Sequence, residues 1–233
     1  MRKAKISEIF LSLQGEGVYI GVPQLFVRFY GCNLSCVFCD TKINSFGTFT
    51  ADALISKILE YRKPYHSLSL TGGEPLLQAD FIGNFLSKYK KFYRKPVYLE
   101  TNGTLWRGLS KVINGVDIVA MDFKLPSSTR PPGRSRGAAF WREHEKFLRI
   151  AAEKKVFVKA VITRKTDSGD ILKMTKIIKR VNPRIPIILQ PVTTPFEDGR
   201  ITDKSLARFK GILEKSTGRS EVIPQLHKMM GIK

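Results

Sequence analysis

The cysteines of this sequence are confined to one short segment. GCNLSCVFCDT, residues 31–41, contains Cys32, Cys36 and Cys39, which are all the cysteines of the 233-residue chain. An odd number of thiols spaced so closely does not suit a disulfide framework. A zinc site would need a fourth ligand, and zinc ligands usually come as paired C-x2-C or C-x2-H units. Three thiolates can hold three irons of a [4Fe–4S] cluster and leave the fourth open, so an iron–sulfur site is the favoured interpretation.

A second segment with ligand-binding chemistry follows a predicted strand. LTGGEPLL spans residues 70–77. Gly72 and Gly73 would let the backbone approach a ligand closely, and Glu74 offers a carboxylate to an ammonium group. Taken alone, the same residues are also typical of a Gly-Gly turn that ends a strand, followed by a helix with a carboxylate at its start. The cysteine segment makes the ligand-binding interpretation the better one.

The elements that must position these segments alternate along the chain. The predicted strands are 25–29, 67–71, 97–101, 117–122, 156–162 and 185–190. The predicted helices are 51–62, 79–92, 105–113, 138–154, 168–180 and 204–215, with Thr50 and Asp167 as caps of two of them. This alternation predicts one α/β domain with a mostly parallel sheet, in which six β/α units form a partial TIM-like barrel. Function is then expected in loops that follow the carboxyl ends of strands.

Composition excludes several classes of protein. Apolar residues make up 42% of the chain, which excludes wholesale disorder. No apolar run approaches the ~18 residues that a membrane span needs, so we expect no membrane partner. The N-terminal MRKAKISEIF lacks a secretory apolar segment, so we expect a cytoplasmic protein with reduced thiols.

The charge of the chain is strongly positive. Forty Lys and Arg against 20 Asp and Glu give a net charge of +20. We interpret this excess as a generally basic surface rather than as a nucleic-acid site. Charge alone does not decide between these and an acidic small-molecule substrate.

The cysteine pattern C-x3-C-x2-C, with Phe38 before its last cysteine, resembles the signature of the radical S-adenosylmethionine (SAM) superfamily, and GGEP resembles that superfamily's second motif. The resemblance implies that SAM's methionine chelates the open iron and that one electron from the cluster cleaves SAM to a 5′-deoxyadenosyl radical. It also implies SAM contacts from Phe38, Gly72, Gly73 and Glu74.

Four further segments resemble the 7-carboxy-7-deazaguanine synthase family. They are SEIFLSLQGEGVYIGVPQLFVRFYGCNLSC, CDT at 39–41, YLETNGT at 98–104 and PQLHKMMGI at 224–232. The resemblance covers the whole chain, 1–233, as a single radical SAM domain whose active site is completed by residues 5–23 and the tail 219–233. It implies conversion of 6-carboxy-5,6,7,8-tetrahydropterin to 7-carboxy-7-deazaguanine with loss of ammonia, in queuosine or archaeosine biosynthesis.

Two segments carry the candidate substrate contacts. Glu16, between two glycines, is an acceptor suited to the donor-rich edge of a pterin, and Gln14 could add an amide contact; the alternative is a glycine-rich turn with a solvated carboxylate. Arg28, on the first core strand, matches a substrate carboxylate; the alternative is a structural ion pair. Thr71 completes this predicted set.

The resemblance implies further site residues. Thr41 would coordinate Mg²⁺ that also touches the substrate carboxylate, although a threonine there is also typical of a turn cap. His227 would contact the substrate, unless it is simply an exposed residue of the tail. The remaining SAM contacts are expected from Thr101, Asn102, Lys124, Ser127 and Gln190.

The resemblance also implies partners: an electron donor such as flavodoxin or ferredoxin, and a second copy of the chain in a homodimer. Two alternatives stay open. A glycyl-radical-enzyme activase would share the cysteines and GGEP but would not need Arg28, Glu16 or the histidine of the tail. A metal-binding nucleic-acid module would use the positive charge but would give no account of GGEP.

Overall fold

The strands and helices follow the predicted alternation. The computed structural model describes residues 2–36, 38–39, 44–127, 129–130, 139–193, 201–215, 220–226 and 231. Its strands are β1 (Ala4–Leu13), β2 (Pro23–Phe29), β3 (Ser35–Cys36), β4 (Gly47–Phe49), β5 (Ser67–Gly72), β6 (Val97–Thr101), β7 (Ile118–Asp122), β8 (Thr129–Arg130), β9 (Lys155–Ile162), β10 (Ile187–Pro191) and β11 (Ser220–Val222). Its α-helices are α1 (Ala51–Leu59), α2 (Ala79–Phe92), α3 (Trp106–Val112), α4 (Trp141–Ala151), α5 (Ser168–Val181) and α6 (Asp203–Glu214).

The main sheet is open and mostly parallel. In the described part of the chain its order is β11–β10–β9–β7–β6–β5–β2–β1–β4, and the two edge strands do not pair with each other. Strands β11 to β2 in this order are parallel to their neighbours, whereas β1 is antiparallel to both β2 and β4. The predicted partial barrel with a mostly parallel sheet is confirmed.

Local sequence explains where the helices lie. The Thr50 side chain accepts a hydrogen bond from the Ala53 amide at the start of α1, and Asp167 accepts one from Gly169 at the start of α5. Both predicted caps are therefore confirmed. In α2 the buried Phe81, Phe85 and Tyr89 recur every four residues, so one apolar face of the helix packs on the sheet.

The two faces of the sheet carry different apolar clusters. Alternate strand residues such as Leu99 and Val158 join the large core that the helices cover. Because side chains alternate along a strand, Tyr98 and Phe157 point to the opposite face, where they pack with Tyr19 from the N-terminal loop. This smaller cluster forms the floor beneath the polar side chains described next. No helix among the described residues has the length and apolar character of a membrane span.

Candidate active site

The cysteine loop begins directly after β2 and is tied to a distant part of the chain. Cys36 lies on β3, which pairs antiparallel with β8, so that Cys36 stands opposite Thr129. The Cys39 amide donates to the Cys36 carbonyl oxygen at 3.1 Å, which closes a tight turn between these two cysteines. None of the three cysteines is in a disulfide; Cys32 and Cys39 are exposed, and Cys36 is partly exposed.

The thiols are close enough to influence one another. Burial raises the pKa of Cys36, the nearby Lys124 ammonium opposes this rise, and Cys32 and Cys39 add to it. Among the described residues, no three His, Cys, Asp or Glu side chains are gathered closely enough to hold a single ion. An iron–sulfur cluster differs in this respect, because each thiolate binds a separate iron.

Two glycines bring the GGEP segment against the cysteine loop. Gly72 has φ +147°, and a Cβ there would lie 2.2 Å from the Phe29 carbonyl oxygen. A Cβ on Gly73 would lie 2.3 Å from the Gly31 carbonyl oxygen and 2.9 Å from Cys32 Cβ. The two glycines therefore allow close packing on the end of β2 and on the start of the cysteine loop, and their predicted approach to a ligand stays a prediction.

Glu74 connects its own loop to the cysteine loop and to the loop after β6. Its amide donates to the Gly31 carbonyl oxygen at 2.8 Å, and its fully buried carboxylate accepts from the Leu76 and Asn102 amides and from the Thr101 hydroxyl. Burial raises the pKa of Glu74 to about 7, although these hydrogen bonds favour the charged form. The structure thus gives Glu74 and Thr101 protein partners, and their predicted contacts with SAM stay predictions.

Asn102 is held from several sides. Its side-chain amide donates to Asn33 Oδ1 at 2.9 Å, and its own Oδ1 accepts from the Thr104 amide and hydroxyl. Its main-chain carbonyl oxygen accepts from His144 Nε2 on α4. The side-chain amide of Asn33 also donates a hydrogen bond to the Thr104 hydroxyl oxygen at 2.9 Å. The loop after β6 is therefore fixed against the cysteine loop.

The remaining candidate SAM residues include polar atoms without partners. The buried Lys124 ammonium lies 2.6 Å from Asp122 Oδ2 and 5.1 Å from the centre of the Phe38 ring. Gln190 is completely buried at the end of β10, and within the described residues neither atom of its amide group has a hydrogen-bond partner. The hydroxyl of Ser127 is likewise buried without a partner there. Buried polar atoms of this kind usually have a hydrogen-bond partner.

Glu16 is fixed by both ends of the chain. Its Oε1 accepts from Gln225 Nε2 at 3.0 Å, and the Leu226 amide donates to the Gly15 carbonyl oxygen. Gln14 supports the same loop, because its Oε1 accepts from the Glu16 amide while its Nε2 donates to Gln24. Gln14 therefore has protein partners at both side-chain atoms, and its predicted substrate contact stays a prediction.

The next residue explains the course of that loop. Gly17 has φ +66°, and a Cβ there would lie 2.5 Å from the Phe157 ring. Only glycine allows the backbone to pack this closely on β9. This contact places Glu16 over the polar residues of the sheet.

Lys159, two residues after Phe157, is the charged centre of the site. Its ammonium is ion-paired with Glu16 Oε2 and lies 3.3 Å from Glu100 Oε1 and 3.9 Å from Asp122 Oδ2. Thr71 belongs to the same network, because its hydroxyl donates to Glu100 Oε2 at 3.3 Å. The structure thus brings two predicted substrate residues, Glu16 and Thr71, into one cluster.

Arg28 has a partner on the neighbouring strand. Its Nε donates to Glu8 Oε2 at 3.1 Å, and Glu8 stands directly opposite Arg28 in the β1–β2 register. The guanidinium also lies over the Phe10 ring. The structure therefore contains the ion pair that we considered as the alternative, while the contact with a substrate carboxylate stays a prediction. Arg28 stands opposite Thr71 on β5, which places both residues on one face.

Two predicted site residues, Thr41 and His227, lie outside the described residues. Several polar residues of the site were not predicted: Lys159, Glu100, Asp122, Asn33 and His144. One signal was present in VFVKAVI, where Lys159 interrupts an otherwise apolar strand. The partners of Asn33 and His144 are far away in sequence, so no local pattern indicates them.

Comparison with known proteins agrees with this geometry. The model of the radical SAM superfamily matches residues 26–182. A 7-carboxy-7-deazaguanine synthase of Geobacter sulfurreducens is 34% identical over 98% of this chain and 97% of its own length. One from Archaeoglobus fulgidus is 38% identical over 99% of this chain and 100% of its own length. The chain belongs to the 7-carboxy-7-deazaguanine synthase family of the radical SAM superfamily.

The solved structure of QueE from Escherichia coli has the same fold. It covers 94% of this chain and 93% of its own, with a TM-score of 0.59 and 18% sequence identity. As a member of the radical SAM superfamily, the chain is an enzyme that uses a [4Fe–4S] cluster and SAM. The neighbouring thiols and the unpartnered buried atoms of Gln190 and Ser127 fit these groups.

Proposed function

We propose that this enzyme converts 6-carboxy-5,6,7,8-tetrahydropterin to 7-carboxy-7-deazaguanine and ammonia, for deazapurine biosynthesis. The observation that carries the proposal is a continuous row of charged groups from the cysteines to Glu16. Lys124 lies beside Cys36 and pairs with Asp122, and Lys159 links Asp122 to Glu16. A substrate bound to Glu16 would therefore lie on the same open face as the cluster.

The cofactor residues follow from the same arrangement. Cys32, Cys36 and Cys39 would hold the cluster, and when bound the cluster and SAM supply the radical chemistry. The SAM contacts would come from Phe38, Gly72, Gly73, Glu74, Thr101, Asn102, Lys124, Ser127 and Gln190. The strongest support is the amide of Gln190, whose buried oxygen and nitrogen need partners that a ligand can provide.

The protein's own residues would bind and orient the substrate. Glu16 would accept hydrogen bonds from the pyrimidine edge, with Gln14 and Thr71 beside it, and His227 would add a contact from the tail. Arg28 would pair with the substrate carboxylate. Thr41 would help to hold Mg²⁺, because a hydroxyl oxygen is a suitable hard ligand, and the ion would supply positive charge for binding the substrate carboxylate.

The proposal includes the surroundings of the enzyme. We place it in the cytoplasm, with an electron donor such as flavodoxin or ferredoxin and with a second copy in a homodimer. Residues 1–233 would form one domain completed by the segments 5–23 and 219–233. The hydrogen bond between Gln225 and Glu16 supports this closure of the site by the tail.

Anaerobic turnover tests the function. The reconstituted enzyme is incubated with carboxytetrahydropterin, SAM, Mg²⁺ and a reductant, and the product is identified by mass spectrometry. We expect 7-carboxy-7-deazaguanine from the wild-type protein. Cys36→Ala should lose the cluster and the activity together, as measured by iron and labile sulfide. A fully reconstituted wild-type protein that forms no deazaguanine would rule the proposal out.

A further inference from the structure

Lys159 is a buried cation among carboxylates. It lies in the middle of β9, and only 5% of the residue is exposed to solvent. The ion pairs of its ammonium group described above are all with carboxylates: those of Glu16, Glu100 and Asp122. Burying an ammonium without such partners would be costly, so this lysine and the three acids form one electrostatic unit.

Together with Lys124, the described part of this unit contains more negative than positive groups. Glu16, Glu100 and Asp122 contribute three carboxylates, whereas Lys159 and Lys124 contribute two ammonium groups. Lys124 pairs with Asp122 at 2.6 Å and interacts with Cys36, so its charge lies on the cysteine side. Among the described residues, Lys159 is thus the cation whose ion pair with Glu16 the structure shows.

We propose that Lys159 is a positioning residue that orients the Glu16 carboxylate as the acceptor for the substrate's donor edge. This inference rests on the proposed function, in which Glu16 meets the pyrimidine ring. Lys159 acts through Glu16 and needs no contact with the substrate itself.

The contacts of Glu16 leave room for this role. Lys159 binds Oε2 and Gln225 binds Oε1. A carboxylate oxygen can accept more than one hydrogen bond, so these two contacts are compatible with a further donor from the substrate. Without Lys159, Oε2 would lose the cation that fixes it, and the carboxylate could turn away from the substrate.

The role depends on geometry as well as on charge. The compact ammonium of a lysine can face three carboxylates at once, whereas a planar guanidinium needs more space and prefers two parallel contacts. Gly17 packs on Phe157, and this contact sets the distance from the Glu16 loop to β9. An arginine at position 159 would therefore push the Glu16 loop away.

A double-mutant cycle tests the inference. Binding of 7-carboxy-7-deazaguanine to the reconstituted enzyme is measured by calorimetry for the wild type, Lys159→Met, Glu16→Gln and the double variant. We expect Lys159→Met to weaken binding about 10- to 100-fold, as for loss of a charged hydrogen bond. In the Glu16→Gln background the same change should have little further effect. Iron content should equal that of the wild type in all four proteins.

A ligand variant separates positioning from a general structural role. The analogue that lacks the 2-amino group offers a smaller donor edge, so Lys159→Met should weaken its binding less than that of the full product. Should Lys159→Met not fold, Lys159→Met/Glu100→Gln preserves the charge balance and is compared with Glu100→Gln alone.

Two results would overturn the role of Lys159: unchanged product affinity in Lys159→Met, or an equal loss with and without Glu16. Either result would leave the proposed function intact if the wild type forms and binds the product. A wild-type protein that neither forms nor binds it would overturn the proposed function, and this role with it.

Discussion

The imidazole Nε2 of His144 lies 3.2 Å from the main-chain carbonyl oxygen of Asn102, and this hydrogen bond joins α4 to the loop after β6. The ring is completely buried 4.0 Å from the centre of the Phe123 ring. Burial lowers the pKa of His144 to about 3, although the hydrogen bond to Asn102 opposes this shift. The neutral imidazole therefore donates a hydrogen bond through its Nε2–H group to the carbonyl oxygen at ordinary pH.

This buried ring predicts a loss of stability in mild acid. The unfolded chain takes up a proton on His144 below pH 6.5, whereas the folded chain does so only near pH 3. The stabilisation is thus fully present above pH 6.5 and falls as the pH is lowered towards 3. Between pH 7 and pH 5 the contribution to the free energy of unfolding should fall by ~2 kcal/mol, as measured by urea unfolding.

Two glutamine variants isolate the effect of His144. His144→Gln removes the titrating group and should flatten the stability difference between pH 7 and pH 5. His66→Gln removes a histidine from the surface and should leave that difference as it is in the wild type. An equal pH dependence in wild type and His144→Gln would show that His144 does not titrate on unfolding as expected.

Arg28 and Glu8 allow a substrate contact to be distinguished from a structural ion pair. Arg28→Gln should raise the KM for the pterin about 10- to 100-fold with unchanged iron content, because a charged contact to the substrate carboxylate is lost. Glu8→Gln breaks the same ion pair but leaves the guanidinium in place, so its KM should stay near that of the wild type. Steady-state kinetics measure both, and equal KM values in the two variants would refute the substrate contact.

Gly17 and Gly21 form a matched pair for the Glu16 loop. Both have positive φ, at +66° and +80°, but a Cβ would meet Phe157 at position 17 and nothing within 4 Å at position 21. Gly21→Ala should cost only the ~1–2 kcal/mol of the left-handed conformation. Gly17→Ala should cost about 1–3 kcal/mol more and should also weaken product binding, since Glu16 is displaced. Urea unfolding measures the stability of the two variants, and calorimetry measures their product binding. Equal losses of stability and of product affinity in the two variants would show that the Phe157 contact does not position the Glu16 loop.

Replacing Gln190 should raise the stability of the ligand-free protein and weaken its binding of SAM. Gln190→Leu removes two buried atoms without protein partners in the described structure, so the ligand-free protein should gain about 1–3 kcal/mol. SAM binding to the cluster-loaded enzyme should weaken about tenfold, since the amide contact is lost. Urea unfolding without SAM and equilibrium dialysis with SAM measure the two effects.

Gln24→Leu is the matched control for this prediction. Gln24 is equally buried and its Nε2 also lacks a partner among the described residues, but its Oε1 accepts from Gln14 at 3.1 Å. The leucine would leave the Gln14 donor unsatisfied, so this variant should lose stability. If Gln190→Leu also lost stability while keeping full SAM affinity, the amide would be a structural group.

The sheet could be predicted because its central strands are buried on both faces. β5, β6 and β7 read as short apolar runs, and each prediction matched the structure to within one residue. Strands β3, β4, β8 and β11 were not predicted, since each has only two or three residues. Helix α1 ends at Leu59 rather than at residue 62, and the nearby Pro64 helps to explain the early end.

The site was predictable only where the chemistry is local. The cysteines and Gly72–Gly73 have a recognisable spacing, and the structure shows why the glycines are needed. The pairing of Lys159 with Glu16 joins residues 143 positions apart, and no sequence window contains both. Glu74 was predicted to offer its carboxylate to a ligand. Within the chain this carboxylate accepts hydrogen bonds from the amide of Leu76 in its own loop and from the amide of Asn102 in the loop after β6.

The hydrogen bond between Gln225 and Glu16 has a consequence for the order of events during synthesis. The two residues are 209 positions apart, whereas the cysteines lie together and close to the first strands. Contacts of such sequence separation form late. A nascent chain would thus expose its thiols to iron–sulfur delivery long before Glu16 is secured, so that cluster insertion can precede completion of the substrate pocket.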